Sequence, residues 1–162
     1  MKIGDLFENW GLKGLKLSTG FVTMEWEPQP EEQQAAWELY VELLTRVTTQ
    51  PLDDAHGDEA TALQSIYSLF GITRELLKQR GRKAETFSKI AIVVLNQKIR
   101  PFTAKWHKAS LAGVLESEEG RQAFREEMRD IQLVLRGYAG LLSEMAGVED
   151  FSGLVDAPLQ GL

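Results

Sequence analysis

The chain has 162 residues, 43% hydrophobic and 26% charged, with a net charge of −6. That is the profile of one soluble globular domain with a core large enough to stand without staples. It contains no cysteine, which excludes disulfides, thiol nucleophiles and thiolate metal sites together and fits a cytoplasmic location.

Asp5 and Glu8 interrupt the first residues, so they do not read as a secretion signal. The longest apolar run, Ile90 to Leu95, is far too short to span a bilayer. Leu6, Phe7, Trp10 and Leu12 make a short amphipathic piece. Over 14–27 the period changes: Leu15 and Leu17 alternate with Lys16 and Ser18, then Val22, Met24 and Trp26 with Thr23, Glu25 and Glu27. This predicts a small β-hairpin turning at Ser18-Thr19-Gly20, which must pack on helices to persist.

Pro28 and Pro30 end the strand. Pro30 with Glu31 and Glu32 suits a helix start. The first helix is predicted from Glu31 to Thr49, with Ala36, Trp37, Tyr40, Val41, Leu43, Leu44 and Val47 as its apolar stripe. Residues 51–57 read as a connector. A second helix is predicted over 58–79 (Leu63, Ile66, Tyr67, Phe70, Leu76, Leu77), with Gly81 just beyond its end. The third starts near Lys83 and carries Phe87, Ile90, Ala91, Val94, Leu95, Ile99, Phe102 and Trp106 toward Gly113. Pro101 lacks a backbone donor and should kink or interrupt it. The fourth runs from Ser117 and Glu118 to Gly147, with Phe124, Met128, Ile131, Leu135, Tyr138, Leu141, Leu142 and Met145 on one side. The expected fold is mainly α: an antiparallel four-helix bundle with the N-terminal hairpin laid against it. Residues 1–150 form one domain (helices over 31–147), and 151–162 form a flexible tail.

Charge is distributed unevenly. Between Arg74 and Lys108 lie ten of the 18 cations, opposed by only Glu75 and Glu85, so this stretch carries +8 and the rest of the chain −14. Such a field gathers an anionic ligand or an acidic partner surface, and opposite charge faces also allow self-association. Arg74, Lys78, Arg80, Arg82 and Lys83 exceed what a helix C-terminus needs for its dipole. Around Pro101, the cations Arg100, Lys105 and Lys108 and the ring of His107 surround Phe102 and Trp106, an arrangement suited to phosphates and stacked bases. The competing structural reading places Phe102 and Trp106, four apart, in an ordinary helical core. The residues expected to meet a partner are Arg80, Arg82, Lys83, Lys98, Arg100, Lys105, Trp106, His107 and Lys108.

Catalytic signatures do not emerge. There is no nucleophile elbow, P-loop or dinucleotide fingerprint, and no Glu-x-x-His pair for a di-iron site. Asp53-Asp54-Ala55-His56-Gly57-Asp58-Glu59 lacks calcium-loop register and reads as a turn with Asp58 as N-cap. The pairs Glu116/Glu119 and Glu127/Asp130 are similar to the magnesium-holding pairs of all-helical nucleotide pyrophosphohydrolases. Here they flank one helix start instead of facing each other on two helices, and Arg121, Arg125 and Arg129 offer them salt-bridge partners at i,i+4. No metal or cofactor is expected.

The run from Trp37 through Gln50-Pro51-Leu52, then His56-Gly57-Asp58-Glu59-Ala60-Thr61-Ala62-Leu63 and Leu95-Asn96-x-x-x-Arg100-Pro101-Phe102-x-x-Lys105-Trp106-His107, resembles a family of small bacterial helical proteins of unassigned function. The resemblance covers most of the chain, from the hairpin to Asp150. It implies a compact helical module linked loosely to multi-gene systems, antiviral defence among them. Three functions follow in order of expectation. The first is a non-catalytic interaction module (accessory, sensor or adaptor). The second is a binder of single-stranded nucleic acid or a nucleotide through 74–108. The third is a small metal-dependent hydrolase using Glu38, Glu42, His56 or Asp130.

Overall fold

The computed structural model describes residues 28–155, and these are mainly helical. The expected hairpin at 14–27 and residues 156–162 lie outside the described residues. Seven α-helices follow in chain order: α1 (Pro30–Leu44), α2 (Glu59–Tyr67), α3 (Leu69–Arg80), α4 (Glu85–Val94), α5 (Arg100–Leu111), α6 (Glu118–Ala146) and the short α7 (Ser152–Val155).

The most extensive contact is between α1 and α6. They run antiparallel. Tyr40 Oη donates to Asp150 Oδ1 at 3.0 Å, while the backbone just past α1 meets the middle of α6, where Arg136 Nε donates to the Thr49 carbonyl at 2.9 Å. Leu39, Tyr40 and Leu43 from α1, Phe87 and Ile90 from α4, and Phe124, Leu135 and Leu142 from α6 fill one core. Each such side chain contributes about 1.5–3 kcal/mol on burial.

Helix α1 stops at Leu44, short of the predicted Thr49. The reason is local. Thr48 and Thr49 are fully buried, and both hydroxyls donate to the Leu43 carbonyl, at 2.7 and 2.8 Å. Gln50 Nε2 reaches the Leu44 carbonyl at 3.1 Å. Side-chain donors thus satisfy acceptors that another helical turn would have taken. At the other end, Glu32 is buried and joins two helices. Its Oε2 accepts the Gln29 N–H at 3.1 Å, and its Oε1 accepts the N–H groups of Thr86 and Phe87 at 2.9 and 3.4 Å. One carboxylate therefore caps the N-termini of both α1 and α4.

The predicted second helix is two, α2 and α3, meeting at Ser68, whose hydroxyl donates to the Ser65 carbonyl at 2.6 Å. Gly81 ends α3 with φ 60° and ψ −148°, a conformation essentially reserved for glycine. The effect of Pro101 is visible just upstream. Leu95–Ile99 form a π-helical turn, and the Arg100 N–H donates to the Leu95 carbonyl, five residues back. Widening the helix there removes the ring clash and the missing bond, and Pro101 then sits in the first turn of α5. Helix α6 spans 29 residues between a Ser117 N-cap, whose Oγ accepts from the Gly120 N–H at 3.0 Å, and Gly147 at φ 70°. The Val148 N–H returns to the Ser143 carbonyl at 3.0 Å, closing a Schellman end.

Candidate functional site

The basic stretch 74–108 divides into cations used inside the fold and cations directed outward. Arg80 is paired with Glu38 of α1, and Lys83 binds Glu31 at 3.0 Å. Lys89 bonds Glu85 one turn back, at 2.6 Å. Lys105 is paired with Glu127 of α6. Arg100 donates from Nε to Asn96 at 2.9 Å and lies over the Phe70 ring, 4.7 Å from its centroid. By contrast, the side chains of Arg74, Lys78, Arg82, Lys98 and Lys108 have no hydrogen-bond or ion-pair partner among the described residues. All of these except the half-buried Lys98 are exposed.

Trp106 belongs to the core. It is 3% exposed, packs edge-on to Phe124 at 5.1 Å, and its Nε1–H donates to Glu127 Oε2 at 3.0 Å. Phe102 is buried against the same Phe124 ring at 5.6 Å. A ring enclosed in this way offers no face to a base, so the structural reading of Phe102 and Trp106 holds over the stacking one. Lys105 stands 5.2 Å above the Trp106 ring, and both groups converge on Glu127. Burial works against the charged carboxylate, but the bonds from Lys105 and Trp106 outweigh it and hold the Glu127 pKa below its ordinary value. Half-buried His107 meets Tyr67 edge-on at 4.8 Å, which bridges α5 and α2.

The hydrolase candidates do not assemble. Glu38 serves Arg80, Glu42 serves Arg46 at 2.7 Å, and His56 bonds Asp53 at 3.0 Å on an exposed turn. Among the described residues no three His, Asp or Glu side chains form a metal-holding group. Asp58 caps α2 as predicted, accepting the Thr61 N–H at 2.7 Å.

The expected i,i+4 pairing along α6 needs correction: Arg121 pairs with Glu118 at i,i+3, at 2.6 Å, Arg129 has no ion-pair partner among the described residues, and Arg125 turns elsewhere. This side chain leaves its own helix. Nε bonds the buried Glu59 at 2.6 Å, Nη1 reaches Asp54 and the Leu52 and Asp53 carbonyls, and Nη2 reaches the Gly57 carbonyl. Gln132 donates to the Val47 and Gln50 carbonyls, and Arg136 donates to Thr49. Positions 125, 132 and 136 thus staple the connector onto α6. Beside them lies a half-open trough of about 440 Å³, with Pro51, Leu52, Met128 and Leu133 as its apolar wall and Arg125, Arg129 and Arg136 as its basic one. Position spacing in α6 contained this stripe, but nothing in the sequence said that the connector would cross it. A second concavity, between α1 and α3, is lined by Trp37, Val41, Ile72 and Leu76.

No helix among the described residues is long and apolar enough to cross a membrane. No family model, curated protein or solved structure matches the chain.

Proposed function

We propose that this chain is a non-catalytic helical interaction module that docks an acidic protein surface. We read its helices as an antiparallel four-helix bundle of α1, α2–α3, α4–α5 and α6. The sequence resemblance suggests the setting: an accessory, sensor or adaptor subunit of a cytoplasmic bacterial multi-protein system, antiviral defence among them.

One observation carries this reading. Internal acids take up Arg80, Lys83, Lys89 and Lys105, and Arg74, Lys78, Arg82, Lys98 and Lys108 remain without partners among the described residues. Exposed cations without an internal counter-charge attract acidic surfaces and speed encounter, an attraction that salt screens. Nucleic acid is the weaker reading, because affinity for single strands rests on base stacking as well as charge, and Trp106 is committed to the core.

The test is titration of fluorescein-labelled polyglutamate at low salt with the wild type and with Arg74→Glu/Lys78→Glu/Arg82→Glu. The wild type is expected to bind and to weaken as salt rises, and the triple variant to lose binding while keeping its melting temperature. Equal binding by both proteins overturns the reading.

A further inference from the structure

The trough on α6 is made by a periodic set of donors, one of which has no partner among the described residues. Residues 125, 129, 132 and 136 recur at spacings of four, three and four, which places them on one helix face. Arg125, Gln132 and Arg136 all donate to carbonyls of the crossing connector. Those bonds answer a need, since connector carbonyls packed against a helix would otherwise be left unpaired. Arg129 lies on the same stripe and lines the trough, yet its side chain is exposed and has no partner among the described residues. No connector acceptor bonds Arg129 among the described residues, so its guanidinium stands exposed in the trough that the apolar wall also lines. Leu133, one turn further along, is 68% exposed at the rim. Asp54, the acid on the wall, is already held by Arg125 at 3.1 Å.

We propose that this trough is a peptide-docking site that seats an acidic side chain of a partner protein on Arg129 and an adjacent aliphatic side chain of the same segment between Leu133 and Pro51. This deepens the interaction-module reading and rests on it. The chemistry selects the occupant. A guanidinium pairs a carboxylate through two parallel N–H bonds, a geometry a lysine cannot offer. Among the described residues no aromatic ring lines the trough, so none of them stacks a nucleobase there. Its half-open shape would leave a free small molecule largely in water, whereas enclosed sites cover most of their ligand. A chain segment with alternate side chains turned inward buries what the trough can cover and continues across the surface.

The probe is a fluorescein-labelled peptide of about twelve residues repeating Glu-Leu-Glu-Ser, against a control with every Leu replaced by Ser, read by anisotropy at physiological salt. The wild type is expected to prefer the Leu peptide by about tenfold, the scale of one well-placed apolar anchor. Leu133→Ser should remove that preference and Arg129→Gln should weaken binding of both peptides, neither changing the melting temperature, because both side chains are exposed. Arg74→Glu/Lys78→Glu/Arg82→Glu should lower affinity for both peptides equally and keep the preference. A wild type that binds the two peptides alike, a preference that survives Leu133→Ser, or affinities that Arg129→Gln leaves unchanged, overturns the trough and leaves the module reading standing. Failure of the wild type to bind either peptide or polyglutamate at low salt overturns both.

Discussion

Tyr138 is buried in α6, and its hydroxyl has no hydrogen-bond partner among the described residues. Burial alone pushes its phenol pKa up. A buried hydroxyl without a partner has lost its water and gained nothing, so Tyr138→Phe should stabilise the protein by about 1 kcal/mol in urea unfolding. A destabilised variant would show that the hydroxyl is used. Glu127 gives the opposite case. Its pKa is depressed because the Lys105 and Trp106 bonds outweigh burial. A depressed carboxylate contributes stability that is present above its unfolded pKa, near about 4.3, and is lost as pH falls through the lower folded value. Glu127→Gln should therefore be less stable than the wild type at neutral pH, and the two should converge toward pH 2. A constant gap between their unfolding curves across this range would refute the assignment. The Phe102/Trp106 pair was legible as core from its spacing of four. Glu127 was not legible, because which acid meets an indole N–H depends on how α5 and α6 cross, and periodicity along one helix does not contain that.

At the scale of elements, sequence reading placed helix positions well and helix ends unevenly. Ser117 and Gly147 bound α6 as read, since a hydroxyl cap and a left-handed glycine are local chemistry. The end of α1 was missed because Thr48 and Thr49 fold back on the Leu43 carbonyl, a choice made by burial. Pro101 was read as a break, and it is accommodated by the preceding π turn without ending the run of helix. Gly81 tests how strictly a helix end is set. A Cβ there would meet nothing within 4 Å among the described residues, so the expected cost of Gly81→Ala is one of backbone conformation. The expected destabilisation is about 1–3 kcal/mol by chemical unfolding. A neutral result would mean that the turn into α4 adopts another path.

For the whole molecule, the connector between α1 and α2 is held by the side chains of a helix more than 60 residues further along, Arg125 above all. Glu59 and Arg125 are both largely buried, at 8% and 16% side-chain exposure. Arg125→Met leaves a buried carboxylate uncompensated and should cost about 3–5 kcal/mol, seen as a lowered denaturation midpoint. Much of that loss should return in the double variant with Glu59→Gln. The composition showed a polarised chain, and the +8 stretch marked where to look. It did not show that four of those ten cations would be paired with acids in the fold and five left without partners among the described residues. That division is made by tertiary pairing, and the proposed docking of an acidic surface rests on it.

The most direct measurement compares polyglutamate with an oligothymidylate of about 20 nucleotides, matched for charge, over one salt series. With Trp106 enclosed, the two polymers should bind with similar affinity and similar salt slopes, because only charge is read. Oligothymidylate binding tenfold or more tighter, with tryptophan quenching that is lost in Trp106→Phe, would contradict the account and make a nucleic-acid site of the Pro101 region.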